Sequence, residues 1–82
     1  MRIDKYLKVS RLIKRRTVAS DACDGEHIAV NGKVVKPSYQ VKLGDESEIR
    51  FGQRTLVVRV LSDVEHIGKA EASTMYEVIS QS

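Results

Sequence analysis

The residues with the clearest chemical potential are the cations of the first sixteen positions. This segment holds seven basic residues against one acidic residue, Asp4, a net charge of +6, whereas the other 66 residues carry a net charge of −3. Guanidinium and ammonium groups pair with phosphates and release the counterions condensed on nucleic acid. The sequence therefore predicts one cationic, polyanion-binding face. Its candidate binding residues are Arg2, Lys5, Lys8, Arg11, Lys14, Arg15 and Arg16.

Two other interpretations of this segment are open. A charged helical face can serve solubility alone, although seven cations in sixteen residues exceed what solubility requires. Alternatively, the segment could be an amphipathic anchor on an anionic membrane surface, with Ile3, Tyr6 and Leu7 facing lipid. That arrangement would remove from the domain core the side chains that the core needs, so nucleic acid is the favoured partner and no membrane is expected.

Catalytic chemistry is not indicated. Cys23 falls on the apolar face of a predicted helix with no obvious histidine partner, which favours a buried thiol. His27 and His66 lack the spacing of metal ligands, and Asp45 and Glu46 are adjacent, a poor arrangement for a general acid and base. No phosphate-binding glycine loop occurs. We therefore expect a protein that is not an enzyme and that has no metal and no cofactor.

RNA is favoured over DNA by the features the sequence lacks. There is no recognition helix rich in residues that read the major groove and no zinc site. The aromatic residues, Tyr6, Tyr39, Phe51 and Tyr76, are too scattered for a base-stacking platform. Recognition of a structured RNA by its shape and backbone fits better.

Two helices must position the cations. Positions 3, 6, 7, 10 and 13 recur at helical spacing and predict a first helix with a buried stripe, and Asp4 is placed to cap its first turn. The chain is expected to break among residues 10–14. The second helix is expected to end at Asp24-Gly25, where Gly25 would take the left-handed conformation. Its predicted apolar stripe is Val18, Ala19, Ala22 and Cys23.

After Gly25 the apolar period becomes two, which predicts strands. Asn31-Gly32 predicts a type I′ hairpin turn between segments 27–30 and 33–35, and Pro37 ends the second. Further strands are predicted over 47–51, 55–61 and 75–79, with one helical turn over 69–73 and a frayed end over 80–82. The fold class is α+β, with two N-terminal helices packed on a small twisted, mainly antiparallel sheet. Residues 1–61 form the main unit, and residues 62–82 add a helical turn and a strand to the same domain.

Length and composition set the broader class. Eighty-two residues with one cysteine allow one small domain and argue against a disulfide-stabilised secreted protein. No apolar stretch has the length of a signal peptide or a membrane span. A cytoplasmic monomer is expected.

The opening residues 2–7 (RIDKYL), together with Arg11, Lys14, Arg16 and Ala19, resemble the S4 domain, also called the alpha-L RNA-binding motif. The resemblance continues through the block from Ile28 to Ile49, with its Asn31-Gly32 and Gly44-Asp45 turns, and covers about three quarters of the chain. In that family the first two helices and a following loop present basic residues to structured rRNA or tRNA. The resemblance therefore implies an S4-like fold and an RNA-binding function.

Within the S4 family, the chain is more similar to the short stand-alone RqcP (YabO) proteins than to the heat-shock proteins, which carry a long basic C-terminal extension. This resemblance implies a factor of ribosome-associated quality control that binds rRNA of the obstructed large (50S) subunit and peptidyl-tRNA. It would thereby support alanine tailing of stalled chains by RqcH. Carried over by position, Arg2 and Arg16 become the foremost RNA contacts. A heat-shock-type recycling factor and a structural ribosomal protein are the alternatives.

Two positions depart from the family pattern. The family usually has glycine two residues before the position of Ile28, where this chain has Glu26 preceded by Gly25, so the exit of the second helix is expected to shift. Ala22 and Cys23 also replace larger apolar residues, which predicts a core with little buried area.

Overall fold

Two short helices precede an antiparallel sheet in the computed structural model, which describes residues 1–82. The sheet has five strands in the spatial order β2-β1-β3-β4-β5, and a 3-10 helix joins the last two strands. The predicted α+β class is confirmed. The elements are α1 (Ile3–Val9), α2 (Arg16–Asp24), β1 (Ile28–Val30), β2 (Lys33–Val34), β3 (Glu46–Phe51), β4 (Arg54–Val60), the 3-10 helix (Lys69–Met75) and β5 (Tyr76–Gln81).

Helix α1 supplies the centre of the core. Ile3, Tyr6 and Leu7 are buried, and the Tyr6 hydroxyl donates a hydrogen bond of 2.8 Å to the carbonyl oxygen of Met75. The helix ends at Val9, and residues 10–15 form a turn, so the predicted break is confirmed. Ser10 and Ile13 are buried as predicted, although they lie outside the helix.

Helix α2 buries a narrower stripe than predicted. Ala19 and Cys23 are buried and Ala22 is half-buried, whereas Val18 is 47% exposed, so its assignment to the core is wrong. One residue of helix rotates the side chain by about 100°, which turns Val18 away from the face that Ala19 presents to α1. The core beneath α2 therefore depends on small side chains.

The exit of α2 differs from the prediction. Gly25 has φ −82°, so it does not take the left-handed conformation, and Glu26 does so instead, with φ +64°. A Cβ at Gly25 would lie 2.8 Å from the Cδ2 atom of the exposed His27 side chain, which would have to move, and 3.3 Å from the carbonyl oxygen of Asp21. The left-handed residue thus lies at the position where the S4 family usually has glycine, and the expected shift of the helix exit relative to the family stays a prediction.

Replacing Glu26 with glycine is expected to stabilise the protein by about 0.5–1 kcal/mol. An L-residue in the left-handed region costs about 1–2 kcal/mol, and the extra unfolded-state entropy of glycine offsets about 0.5–1 kcal/mol of that gain. Urea unfolding measures the difference. Glu26→Ala is the matched control, because it removes the same carboxylate but keeps the Cβ. An equal gain in the free energy of unfolding in both variants would mean that removing the Glu26 carboxylate causes it, and would contradict the backbone argument.

The first hairpin forms as predicted. Asn31 and Gly32 have φ values of 51° and 85°, and Val30 pairs with Lys33 across the turn. The Asn31 Nδ2 atom also donates to an Asp45 carboxylate oxygen at 3.1 Å, and the Tyr39 hydroxyl donates to the other at 2.8 Å. The buried Asp45 carboxylate therefore joins the hairpin to the turn that precedes β3.

The C-terminal residues complete the sheet. β5 pairs with β4 along the edge, with a register shift between Val57 and Val58. The predicted fraying of residues 80–82 is wrong, because Ser82 and Thr55 exchange backbone hydrogen bonds of 2.9 and 3.0 Å. Pairing with β4 holds these residues in the sheet. Their polar composition does not reveal this contact, because the partner strand is distant in sequence.

A cationic surface at the turn between the helices

The turn after α1 brings the seven candidate cations together. The Ile13 amide donates to the Leu7 carbonyl at 3.0 Å, which folds residues 10–15 back along α1, and Arg16 reaches Asp4 at the start of α1. Seven residues of helix span about 10 Å. The seven predicted cations therefore lie on α1, on the turn and on the two residues that flank them, Arg2 before α1 and Arg16 at the start of α2. We call this set, Arg2, Lys5, Lys8, Arg11, Lys14, Arg15 and Arg16, the cationic surface.

Asp4 organises one end of the cationic surface. Its carboxylate is 3% exposed and lies 3.2 Å from the Arg2 Nη2 atom and 3.5 Å from the Arg16 Nη2 atom. It also accepts a hydrogen bond of 2.7 Å from the Lys5 amide. The predicted placement of Asp4 at the first turn is confirmed, because its carboxylate accepts from the Lys5 amide there, although the N-cap residue itself is Arg2 and makes no side-chain cap hydrogen bond. Asp4 also holds two guanidinium groups that remain about half exposed.

Lys5 is occupied by an ion pair. Its Nζ atom lies 2.8 Å from Glu65 Oε1, and this hydrogen bond lowers the pKa of the Glu65 carboxyl. The Lys5 side chain is 30% exposed and is therefore less accessible than those of Arg2 and Arg16. An anionic ligand would have to compete with Glu65 for Lys5.

The other four cations are free of internal partners. Lys8, Arg11, Lys14 and Arg15 are exposed, and no carboxylate oxygen lies within 4.0 Å of their charged groups. Arg11 has φ +64°, the left-handed region that non-glycine residues seldom occupy. Such a cluster of unpaired charge is the kind of surface that attracts a polyanion.

Arginines on the sheet are arranged differently. Arg59 lies 3.2 Å from Glu46 and 3.4 Å from Glu77, and Arg50 pairs with Glu48. These pairs balance charge locally. The charge separation seen in the sequence thus has a structural basis, because unpaired cations gather at the turn while Arg50 and Arg59 on the sheet are paired with carboxylates.

Cys23 lies in an environment that suppresses reactivity. Burial raises the pKa of its thiol to about 11, and the carboxylates of Asp4 and Asp24 act in the same direction. Its predicted role as a small buried hydrophobe is confirmed. His27 and His66 are exposed, and no three potential metal-binding side chains converge.

Sequence reasoning missed the segment that faces the cationic surface. The sequence assigns no element and no site residue to positions 62–68, yet Glu65, His66 and Ile67 line a cleft with Lys8, Arg11 and Lys14. No periodicity marks these residues, and the ion pair that links them to α1 spans 60 positions.

The membrane-anchor interpretation does not fit the structure. Ile3, Tyr6 and Leu7, which would have to face lipid, are at most 1% exposed because they form the core beneath the sheet. None of the helices has the length and apolar character needed to cross a bilayer.

Comparison with known proteins agrees with this geometry. The S4 domain family model matches residues 1–47. The chain is 55% identical to the RQC P-site tRNA stabilizing factor of Halalkalibacterium halodurans, over 95% of this chain and 89% of the relative. It is 52% identical to the protein of the same name from Streptococcus pneumoniae, over 99% and 92% of the two chains.

A solved structure also resembles the fold. Heat shock protein 15 of Vibrio cholerae, described as trimeric, superposes with a TM-score of 0.89 at 27% identity, covering 98% of this chain and 82% of that one. The similarity includes the C-terminal strand, which lies beyond the residues that the family model matches. From the family match and the full-length relatives together, the chain belongs to the S4 domain family, in the group that contains the RQC P-site tRNA stabilizing factors.

Proposed function

We propose that this protein is a non-catalytic RNA-binding factor of ribosome-associated quality control in the cytoplasm. It binds rRNA of the obstructed large (50S) subunit and peptidyl-tRNA in the P site, and it supports RqcH-dependent alanine tailing of the stalled chain. The observation that carries this proposal is the cationic surface, built on the part of the chain that matches the S4 family. The choice of tRNA as a ligand, and of the P site as its location, is based on the names of the full-length relatives.

The mechanism follows from two groups of cations at the ends of a helix about 10 Å long. Arg2 and Arg16 present guanidinium groups that are about half exposed and partly fixed by Asp4. Lys8, Arg11 and Lys14 present unpaired charge at the other end. A strand of rRNA held by one group leaves the other free for tRNA, so the protein joins two RNAs that otherwise repel each other. Binding only the tRNA-occupied state stabilises that state by mass action.

A second function within the same class is a ribosome-recycling factor without a tailing role. The superposition on heat shock protein 15 favours it, because the two folds agree over nearly the whole chain. Both functions use the same cationic surface. Probing a strain that lacks this protein for alanine tails on stalled chains separates them, since loss of the tails supports the quality-control role and retention supports recycling.

The direct test measures the dissociation of labelled tRNA from the P site of purified large subunits. We expect the protein to slow dissociation and to sediment with tRNA-occupied subunits more than with empty ones. The reason is thermodynamic, because a factor that contacts both RNAs binds their complex more tightly than either RNA alone. Equal sedimentation with both kinds of subunit, with an unchanged rate of tRNA release, would contradict the proposal.

A further inference from the structure

A cleft of about 160 Å³ separates the turn after α1 from residues 65–67. Lys8, Arg11 and Lys14 line one side, and Glu65 and His66 line the other. Val9 and Ile67 supply its apolar surface, and both are half-buried against the core. Two parts of the chain therefore line the cleft, and only residues 8–14 lie in the segment that matches the S4 family.

The charge of the cleft favours an anion. Its lining has three cations and one carboxylate, and that carboxylate is already hydrogen-bonded to Lys5 at 2.8 Å. No carboxylate pairs with Lys8, Arg11 or Lys14. An entering anion thus meets three unsatisfied cations and displaces no existing ion pair.

The size of the cleft limits the occupant. Its volume of about 160 Å³ is below the about 300–1,000 Å³ of sites that enclose drug-sized ligands, so the rest of a nucleotide would extend from the cleft into solvent. One phosphate group of an RNA backbone fits both the space and the charge.

Two contacts fix the segment that carries His66. Ile67 packs against the core on one side of it, and the ion pair between Lys5 and Glu65 ties the other side to α1. The backbone of His66 lies between these two contacts, and its imidazole lines the cleft with the three cations, so the segment needs little rearrangement to bind. A neutral imidazole carries one N–H group, which can donate to a phosphate oxygen.

We propose that this cleft binds one backbone phosphodiester of RNA and that His66 donates a hydrogen bond to it. Residues 65–67 are then a second RNA-contacting element, outside the family-matched segment. This inference rests on the proposed RNA binding, but it is independent of the role on the stalled ribosome.

The test compares the affinities of three variants for purified tRNA at about pH 8, where an imidazole is ordinarily neutral. We expect His66→Ala to weaken binding about three- to tenfold, the range for losing one hydrogen bond of ordinary strength at an exposed site, with an unchanged salt dependence. His66→Gln keeps an N–H donor and should retain most of the affinity. His27→Ala is the matched control, since it removes the other exposed histidine, which follows the far end of α2, and should change nothing.

The outcomes separate this inference from the proposed function. If wild-type protein binds tRNA and His66→Ala binds equally well, this inference alone is overturned. If the wild-type protein binds no tRNA, both are overturned. A nuclear magnetic resonance titration with inorganic phosphate adds an independent readout, in which the signals of Arg11 and His66 should shift together. Shifts spread over the surface without those two residues would contradict a defined phosphate site.

Discussion

Replacing Arg16 with alanine is expected to abolish co-sedimentation with large ribosomal subunits while the fold stays intact. The affinity should fall about ten- to a hundredfold, since a hydrogen bond to a charged group contributes about 1.5–3 kcal/mol and about 1.4 kcal/mol corresponds to a factor of ten. The slope of log affinity against log salt should decrease in magnitude by about one, as expected for one lost phosphate contact.

The fold should survive this change because Arg16 contributes little to stability. Its guanidinium is 47% exposed and lies 3.5 Å from Asp4, at the long end of hydrogen-bond distances. Ion pairs of this exposure contribute about 0–1 kcal/mol and are screened by salt. The thermal midpoint of Arg16→Ala should therefore stay within a few degrees of the wild-type value.

Arg54→Ala is the matched control for Arg16→Ala. Arg54 is also exposed, but it lies at the start of β4 and lines a pocket with Phe51. Phe51 lines a second pocket with His27, which follows the end of α2 that is distant from Arg16. Both substitutions lower the net charge by one. If the two variants lose affinity equally, binding depends on overall charge alone, and Arg16 is not part of a defined site.

The local signals of the sequence predicted the parts of the fold that local interactions determine. Asn31-Gly32 specifies a hairpin because both residues accept positive φ, and the observed register places them at the turn. The buried stripe of Ile3, Tyr6 and Leu7 follows from helical spacing alone. The grouping of the cations was predictable too, because they lie within sixteen residues and a short helix cannot separate them far.

Long-range contacts explain what the sequence did not reveal. Glu65 pairs with Lys5 across 60 positions, and Ser82 pairs with Thr55 at the sheet edge, so neither contact leaves a periodic pattern. The position of Glu26 is a different case. It takes the left-handed conformation although Gly25, directly before it, would be the residue better suited to that region, and the sequence alone did not show which of the two would take it.

Asp4 carries the second large expected effect, on stability. Asp4→Ala should lower the free energy of unfolding by about 2–3 kcal/mol, because it removes a charged acceptor from the Lys5 amide at a buried site. The two ion pairs add less, since Arg2 and Arg16 are about half exposed. For a domain of this size the thermal midpoint should fall by about 10–20 °C. A loss below about 1 kcal/mol would contradict this assignment.

Asp4→Asn separates the hydrogen bond from the charge. Asparagine keeps an oxygen that can accept from the Lys5 amide, so the loss of stability should be clearly smaller than in Asp4→Ala. Asp4→Asn has two opposing effects on the affinity for RNA. Removing a negative charge beside the cationic surface would by itself strengthen binding. Releasing Arg2 and Arg16 weakens binding, by about 0.5–1.5 kcal/mol for each side chain that must be ordered again.

We expect the loss of positioning to dominate, so that Asp4→Asn binds tRNA about three- to tenfold more weakly than the wild type, as measured by fluorescence anisotropy. Because the electrostatic effect has the opposite sign, a decrease can arise only from the loss of the fixed guanidinium geometry. An increase in affinity would show that the carboxylate merely neutralises charge. The buried Asp4 would then be a structural residue, and Arg2 and Arg16 would bind RNA as independent flexible cations.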